Sequence, residues 1–369
     1  VSDHVPPVPQ VIFKIIGACN LVCSYCYQTE YDHKNFRAMR STKLSVFANC
    51  IEAVADHART LFADRFNLVF QGGEPLLVGL DRFSQYVDTV RLIAARHDLS
   101  ATLSVQTNGT LLTRPWIEYL RDAHVGVCIS IDGPASIHDS RRPRRDGNGS
   151  LDTIEQRIAD CCSVGLTVSG LMVLSPLASG IETFRYIDRL NIAMLGFIFP
   201  AHNYEKTDAG YKQGAYADFL ISFFDAWFDS HTDLRVHNFE AAIASAFGKP
   251  SSLAGIGNAA ADIISFAPDG TVESGDSYGI CEYERLEGIS PRVGIALASL
   301  SNYSQQQSTG GTLPTSAACQ CCSVADICGG GLLEHRYSVS RGFDNPSYYC
   351  HDLSRFYTHL RTRLREAIA

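Results

Sequence analysis

Val11-Ile12-Phe13-Lys14-Ile15-Ile16-Gly17-Ala18-Cys19-Asn20-Leu21-Val22-Cys23-Ser24-Tyr25-Cys26-Tyr27 is the stretch on which the fold turns. Its first six residues form a short, mostly apolar run that predicts a strand over 11–16. The cysteines at 19, 23 and 26 then sit on the loop leaving the C-terminal end of that strand, where parallel α/β barrels carry their active sites. A CxxxCxxC spacing on one loop can hold three corners of an iron–sulfur cube. Such clusters normally take four thiolates, so this trio, followed at once by Tyr27, leaves the fourth iron open for chemistry. A zinc knuckle, or three unrelated buried thiols, is the alternative that spacing alone leaves standing.

Outward from this loop, β-like runs at 11–16, 67–71, 101–106, 125–131, 167–174 and 194–199 alternate with helical stretches near 42–63, 81–96, 114–122, 152–163 and 181–189. That alternation predicts βαβ units, and six strands predict a partial (β/α)6 barrel of the TIM type rather than a closed eight-stranded one. The open side would admit a large substrate.

The chain has 369 residues, long enough for two or three domains, with 46% hydrophobic and 19% charged residues, an ordinary globular composition. No apolar run approaches a membrane span and no charged-then-apolar N-terminus is present, so the expectation is a cytoplasmic protein with no membrane contact. Thirteen cysteines in that setting point to metal or redox use rather than a disulfide framework. The net charge of −8 gives no reason to expect a nucleic-acid partner. The one basic run, Arg141-Arg142-Pro143-Arg144-Arg145, reads by itself as a solvated loop.

The expected strand ends carry unusual residues. Gln71-Gly72-Gly73-Glu74-Pro75 follows the second strand, with glycines that let backbone approach a ligand and a carboxylate that could accept from an amino group. Gln106-Thr107-Asn108-Gly109 ends the third with polar donors, and Ser130-Ile131-Asp132-Gly133 ends the fourth. The ordered set of CxxxCxxC plus aromatic, GGEP, QTNG and SIDG resembles the radical S-adenosylmethionine (SAM) superfamily. The resemblance implies that SAM chelates the open iron of a 4Fe-4S cluster held by Cys19, Cys23 and Cys26, and that the reduced cluster cleaves it to a 5′-deoxyadenosyl radical. It also implies that Glu74 and the Gly72-Gly73 backbone hold the SAM amino group, that Gln106 and Asn108 serve as polar contacts, and that Ser130 and Asp132 lie near ribose and methionine. The same resemblance implies that an arginine after His138-Asp139 pairs the SAM carboxylate. Arg142 is the choice, with Arg141 and Arg144 as competitors. Met172 reads as core rather than an adenine contact.

Beyond residue 235 the character changes. A Gly/Ala/Ser-rich stretch spans 251–280 with a turn at Pro268-Asp269-Gly270, and a polar loop at 301–316 reads as flexible. Cys319, Cys322, Cys328 and Cys350 then give a four-thiolate set that suits a fully ligated 4Fe-4S cluster, or zinc, with Cys321 a bystander. Their spacing resembles the SPASM auxiliary-cluster domain. The expected organisation is therefore a barrel over 1–235, a bridging segment over 236–262, and a SPASM-like domain with a terminal helix over 263–369. Many SPASM domains hold a further cluster, but here residues 254–260 lack Cys, and Gly275 and Leu332 occupy the two other ligand positions, so that cluster is expected to be absent. Cys50, Cys128, Cys161 and Cys162 read as core residues and Cys281 as a buried or unligated thiol.

The run Cys319 to Tyr337, with Cys328-Gly329-Gly330-Gly331 and Glu334-His335-Arg336-Tyr337, continued by Gly342-Phe343-Asp344-Asn345-Pro346-Ser347-Tyr348-Tyr349-Cys350, resembles the cyclophane-forming radical SAM/SPASM peptide maturases. That resemblance implies a ribosomal precursor peptide as substrate (RiPP biosynthesis), an aromatic ring carbon joined to a side-chain Cβ, and a flavodoxin- or ferredoxin-type reductant. Asp276 follows Gly275; resemblance to sulfatase-maturating members implies a catalytic base there, and the alternative is a turn aspartate bonding its own backbone. His335, Arg336, Tyr337, Asp344 and Asn345 are either peptide contacts or supporting polar residues. Only 18 residues precede Cys19, too few for an N-terminal leader-binding domain, so leader recognition would fall to the barrel mouth, the auxiliary domain or a separate protein. Leu353, Phe356, Tyr357, Leu360 and Leu364 predict an amphipathic C-terminal helix docked on the barrel. Other outcomes for the same motifs are a thioether or ether crosslink, epimerisation, or Ser/Cys oxidation; outside this class stands a non-catalytic zinc or Fe–S protein.

Overall fold

The computed structural model describes residues 10–30, 38–251, 253–257, 263–273, 276, 278–281, 294–295 and 315–369. Gly275, residues 258–262 and the 301–314 part of the polar loop lie outside the described residues.

Six strands form where the alternation predicts them: β1 (Gln10–Lys14), β2 (Arg65–Gln71), β3 (Ser100–Thr107), β4 (Gly126–Ser130), β5 (Val168–Val173) and β6 (Met194–Ile198). Three short strands, β7 (Arg235–Val236), β8 (Ile263–Phe266) and β9 (Val272–Glu273), extend the sheet, each too brief to leave a periodic signal. The order is β7-β6-β5-β4-β3-β2-β1-β8-β9. All neighbours pair in parallel except β8 and β9, which are antiparallel. β7 and β9 are the two ends of the order and do not pair with one another, so the barrel is open.

Alternation along each strand decides which side chain faces which layer. In β2, Phe66, Leu68 and Phe70 are fully buried and face the helical layer, where Phe70 meets Phe83 with ring centroids 4.8 Å apart. In β1, Phe13 does the same against Phe47 at 4.7 Å. Burying an aromatic or large aliphatic side chain in this way contributes roughly 1.5–3 kcal/mol. The opposite parity puts Lys14, Gln71, Gln106 and Ser130 at the C-terminal ends of β1 to β4. Polar residues therefore collect at one rim of an otherwise apolar sheet.

Helices Leu44–Thr60, Leu80–Arg96, Arg114–Asp122, Leu151–Ser163 and Gly180–Asp188 return the chain between strands. The terminal helix, Cys350–Ile368, buries the expected stripe of Leu353, Phe356, Tyr357, Leu360 and Leu364. It packs on the helix Ala215–Phe228, with Phe356 and Phe224 at 5.9 Å. Among the described residues, no helix is long and apolar enough to cross a membrane.

Candidate active site

The cysteine loop leaving β1 is held by backbone from both sides. Gly73 N donates to Ile16 O at 2.8 Å and Glu74 N to Ala18 O at 2.8 Å. An added Cβ at Gly73 would lie 2.2 Å from Ala18 O, and one at Gly72, whose φ is +140°, would lie 2.2 Å from Ile16 O, so only glycine permits this approach. On the other flank, Val22 N donates to Pro143 O at 3.0 Å, Ser24 N to Arg141 O at 2.9 Å, and Arg145 Nη2 to Cys19 O at 2.7 Å. The basic run is therefore not a solvated loop: its backbone is zipped to the cysteine loop.

Glu74 is placed differently from the expectation. Its side chain is fully buried, with Oε1 accepting from Thr107 Oγ1 at 2.7 Å and Leu76 N at 3.1 Å, and Oε2 accepting from Asn108 N at 2.7 Å. Burial raises its pKa and these hydrogen bonds oppose the rise. The carboxylate thus ties the GGEP loop to the QTNG loop and is absent from the cavity wall, which Gly72 and Gly73 supply. Asn108 continues the tie, donating from Nδ2 to Asn20 Oδ1 at 2.8 Å.

Asp132 is also buried. It accepts from Tyr25 OH and from Val173 N, the latter at 3.1 Å, and its Oδ1 lies 3.9 Å from Arg142 Nη1. Tyr25 OH in turn accepts from Arg142 Nη1, giving an Asp132–Tyr25–Arg142 chain under the cysteine loop. His138 stands behind it, fully buried, with Nδ1 accepting from Asp132 N at 3.2 Å; burial, aided by Arg142 and Arg141, pushes its pKa down to about 3. The three candidate arginines separate cleanly. Arg141 donates to the Val173 and Leu174 carbonyls at 2.7 and 3.1 Å and lies 3.5 Å from Asp132 Oδ2, and Arg144 donates to Gly149 O and Thr153 Oγ1. Arg142 alone of these three lines the cavity, and its Nε is buried without an acceptor among the described residues.

The cavity itself encloses about 270 Å³. Cys19, Cys23, Cys26, Gly72, Gly73, Gln106, Asn108, Ser130 and Arg142 share its wall with Leu171, Val173, Ile198, Phe199, Leu332 and His335. Asp276 is on the same wall, accepting at Oδ2 from Tyr27 OH at 2.8 Å and from Gln71 Nε2 at 3.3 Å. Burial pushes the Cys19 thiol up to about 11 and raises that of Cys23.

A second, smaller cavity of about 60 Å³ is lined by Cys319, Cys322, Cys328 and Cys350. Burial again raises Cys328, to about 12. Gly329, Gly330 and Gly331 turn the chain here with φ of +59°, +90° and +73°, and a Cβ on Gly329 would strike Gly257 O at 1.6 Å. Cys321 is exposed. Leu332, at one of the positions vacant for a further cluster, packs against Gly255, where an added Cβ would lie 2.9 Å from the Leu332 side chain.

Residues 13–179 match the Radical SAM superfamily. Along its length the chain is 24% identical over 370 residues to a cysteine-type anaerobic sulfatase-maturating enzyme of Clostridium perfringens, covering 97% of this chain and 98% of that protein. The solved structure of native anSMEcpe with bound AdoMet and Cp18Cys peptide superposes with a TM-score of 0.78 at 22% identity, covering 98% of this chain and 99% of that one. SuiB of Streptococcus suis, bound to its precursor peptide SuiA, superposes with a TM-score of 0.55 at 13% identity, over 89% of this chain and 72% of that one. The fold is that of the radical SAM superfamily.

Radical SAM proteins use a 4Fe-4S cluster and SAM, and the residues of this cavity fit both. Three thiols, an arginine donor without an acceptor and a bare glycine backbone line one space. Among the described residues no three His, Cys, Asp or Glu side chains are gathered tightly enough for a single ion. The four C-terminal thiols likewise surround a space rather than a point.

Sequence reasoning assigned no side-chain role to four residues at or beside this cavity. Tyr25 bridges Asp132 and Arg142, Gln71 and Tyr27 hold Asp276, and Lys14 lies beneath it. A lysine in the apolar run 11–16 was the one available signal, since a charge there must find a buried partner. Met172 is buried and off the cavity wall. Of the C-terminal polar set, His335 reaches the cavity, whereas Arg336 and Asn345 bond each other's carbonyls at 3.1 and 2.8 Å. Asp344 pairs with Arg341 at 3.7 Å. Cys50 and Cys161 are fully buried, Cys128 and Cys162 partly so, and Cys281 is buried against Glu334 O at 3.9 Å.

Proposed function

We propose that this radical SAM enzyme, related to the anaerobic sulfatase maturases, modifies a ribosomally made precursor peptide by joining an aromatic ring carbon to a side-chain Cβ, giving a three-residue cyclophane. The carrying observation is that Asp276 faces the same cavity as Cys19, Cys23 and Cys26, together with the apolar and aromatic side chains Ile198, Phe199 and Leu332. When bound, the cluster and SAM supply a 5′-deoxyadenosyl radical that takes one hydrogen atom from the peptide Cβ. The second hydrogen leaves the aromatic ring as a proton and an electron.

Asp276, held by Tyr27 and Gln71, takes the proton. Arg142, whose Nε is buried, would hold the SAM carboxylate, and the Gly72-Gly73 backbone would border the amino group. Glu74 and Asp132 act at one remove, by fixing the loops that carry these contacts. Cys319, Cys322, Cys328 and Cys350, within the unit spanning 263–369, would hold an auxiliary 4Fe-4S group able to accept the electron. A flavodoxin or ferredoxin supplies the first electron.

Coexpression with the neighbouring small open reading frame under low oxygen, followed by mass spectrometry, tests this reading. The expected product is lighter by two hydrogens per ring, resists fragmentation between the joined residues, and is inert to carbonyl reagents. The alignment with sulfatase-maturating relatives favours a second reading, oxidation of a peptide Ser or Cys to an aldehyde. A product that forms a hydrazone would select it over the cyclophane.

A further inference from the structure

We propose that His335 is a substrate-binding residue, its imidazole hydrogen-bonding a backbone amide of the precursor peptide at the wall that the cysteine cavity shares with a larger chamber. The proposal rests on the reading of the substrate as a peptide and holds for either product, cyclophane or aldehyde.

His335 lies in the short helical turn Leu333–Arg336, and only 3% of the residue is exposed. Its backbone is pinned on both sides, N donating to Leu332 O at 3.2 Å and O accepting from Tyr348 N at 2.7 Å. The ring is held as well, edge-on to Phe199 with centroids 6.3 Å apart and edge-on to Tyr349 at 5.0 Å. The Tyr349 hydroxyl beside it is engaged elsewhere, donating to Pro200 O at 2.9 Å. Neither nitrogen of the His335 ring has a hydrogen-bond partner among the described residues. Buried polar groups are nearly always partnered, so a fixed and unpartnered imidazole on a cavity wall calls for a ligand that completes it.

The chemistry of the wall narrows that ligand. Burial, with His202 adding to it, pushes the pKa of His335 down to about 3, so the ring is neutral, with one N–H to donate and one nitrogen to accept. Set among Ile198, Phe199 and Leu332, it offers no charge to a carboxylate or phosphate. A neutral group with a donor and an acceptor of its own is the match, and a peptide amide is such a group. The same four residues also line a chamber of about 560 Å³ that extends to Ile12 and Val69 inside the sheet. Cys19, Cys23, Cys26, Gly72, Gly73 and Arg142 line the smaller cavity and not that chamber. A SAM molecule held by the cysteine end would leave the His335 wall to the peptide.

The probe is the peptide of the neighbouring small open reading frame, synthesised with a fluorescent label and titrated anaerobically into reconstituted, SAM-loaded enzyme. His335→Phe keeps a ring in place and removes both nitrogens. Its peptide dissociation constant is expected to rise about three- to tenfold, the size of one lost hydrogen bond, while that of SAM stays put; His335→Gln is expected to recover most of the loss. Peptides with one backbone amide at a time replaced by an ester locate the contact: one position is expected to weaken binding to the parental enzyme and not to His335→Phe. His335→Leu takes its place where His335→Phe does not fold. Unchanged peptide affinity in a folded apolar variant, ester losses that persist in it at every position, or a weakened SAM with the peptide unmoved would each overturn the proposal. So would a parental enzyme insensitive to every ester. A parental enzyme that binds no peptide at all removes the peptide reading together with the proposal, whereas a bound peptide that leaves as an aldehyde sinks the cyclophane alone.

Discussion

Glu74 shows how one side chain can matter to a cavity it does not touch. Its two oxygens collect a hydroxyl and two backbone N–H donors from two loops, and the residue is fully buried. Glu74→Gln would set an amide NH2 against at least one of those donors. Leaving a buried donor unsatisfied costs about 1–3 kcal/mol, so thermal unfolding should shift down by that amount, and iron retained at Cys19, Cys23 and Cys26 after anaerobic reconstitution should fall with it. Unchanged iron with an unchanged melting temperature would show that the carboxylate does not organise the loops. Gly73→Ala is expected to be harsher, because its Cβ would lie 2.2 Å from Ala18 O and 2.3 Å from Gly17 O, and backbone cannot yield as a flexible side chain can. Iron analysis of the purified variant against the wild type checks that loss directly.

At the scale of elements, the terminal helix does two things for the barrel. Its stripe of Leu353, Phe356, Leu360 and Leu364 covers the helix Ala215–Phe228, and Asp352 reaches the buried first-turn backbone of that helix, accepting from Ala217 N at 2.8 Å and from Tyr211 OH. Leu360 is fully buried, so Leu360→Ala should cost about 2–5 kcal/mol in chemical denaturation, and Asp352→Ala about 1–3 kcal/mol. The stripe was readable because its period matches a helix, as were β1 to β6 and the helices between them, whose bounds fall within a few residues of the pattern. β7 to β9 were not readable, since strands of two to four residues carry no period. The site divides in the same way. Cysteine spacing and loop motifs identify the wall residues, but the tie of Lys14 to Asp276 spans 262 positions, and no local pattern encodes a partner so distant. The donors that bury Glu74 were unreadable for a related reason: they come from Thr107 and Asn108, more than thirty positions away, as well as from Leu76.

For the molecule as a whole, two histidines couple stability to pH. His138 is fully buried behind Asp132, and His335 is 3% exposed among Phe199 and Tyr349. Burial pushes both pKa values down to about 3, with Arg142 and Arg141 assisting at His138 and His202 at His335. An unfolded histidine titrates near 6.5, so between about 6.5 and about 3 the unfolded chain binds protons that the folded chain refuses. Stability therefore rises with pH across that window and is independent of these groups above it. At pH 5 each such histidine weakens folding by about 2 kcal/mol relative to neutral pH, a large share of the 5–15 kcal/mol typical of a folded domain. Urea midpoints of metal-free protein should fall between pH 7 and pH 5, and His138→Gln should flatten part of that slope even where it lowers the midpoint at pH 7. A slope that His138→Gln leaves intact would assign the acid sensitivity to other groups, and would mean that His138 is protonated in place, which its acceptance of a hydrogen bond from Asp132 N at 3.2 Å argues against.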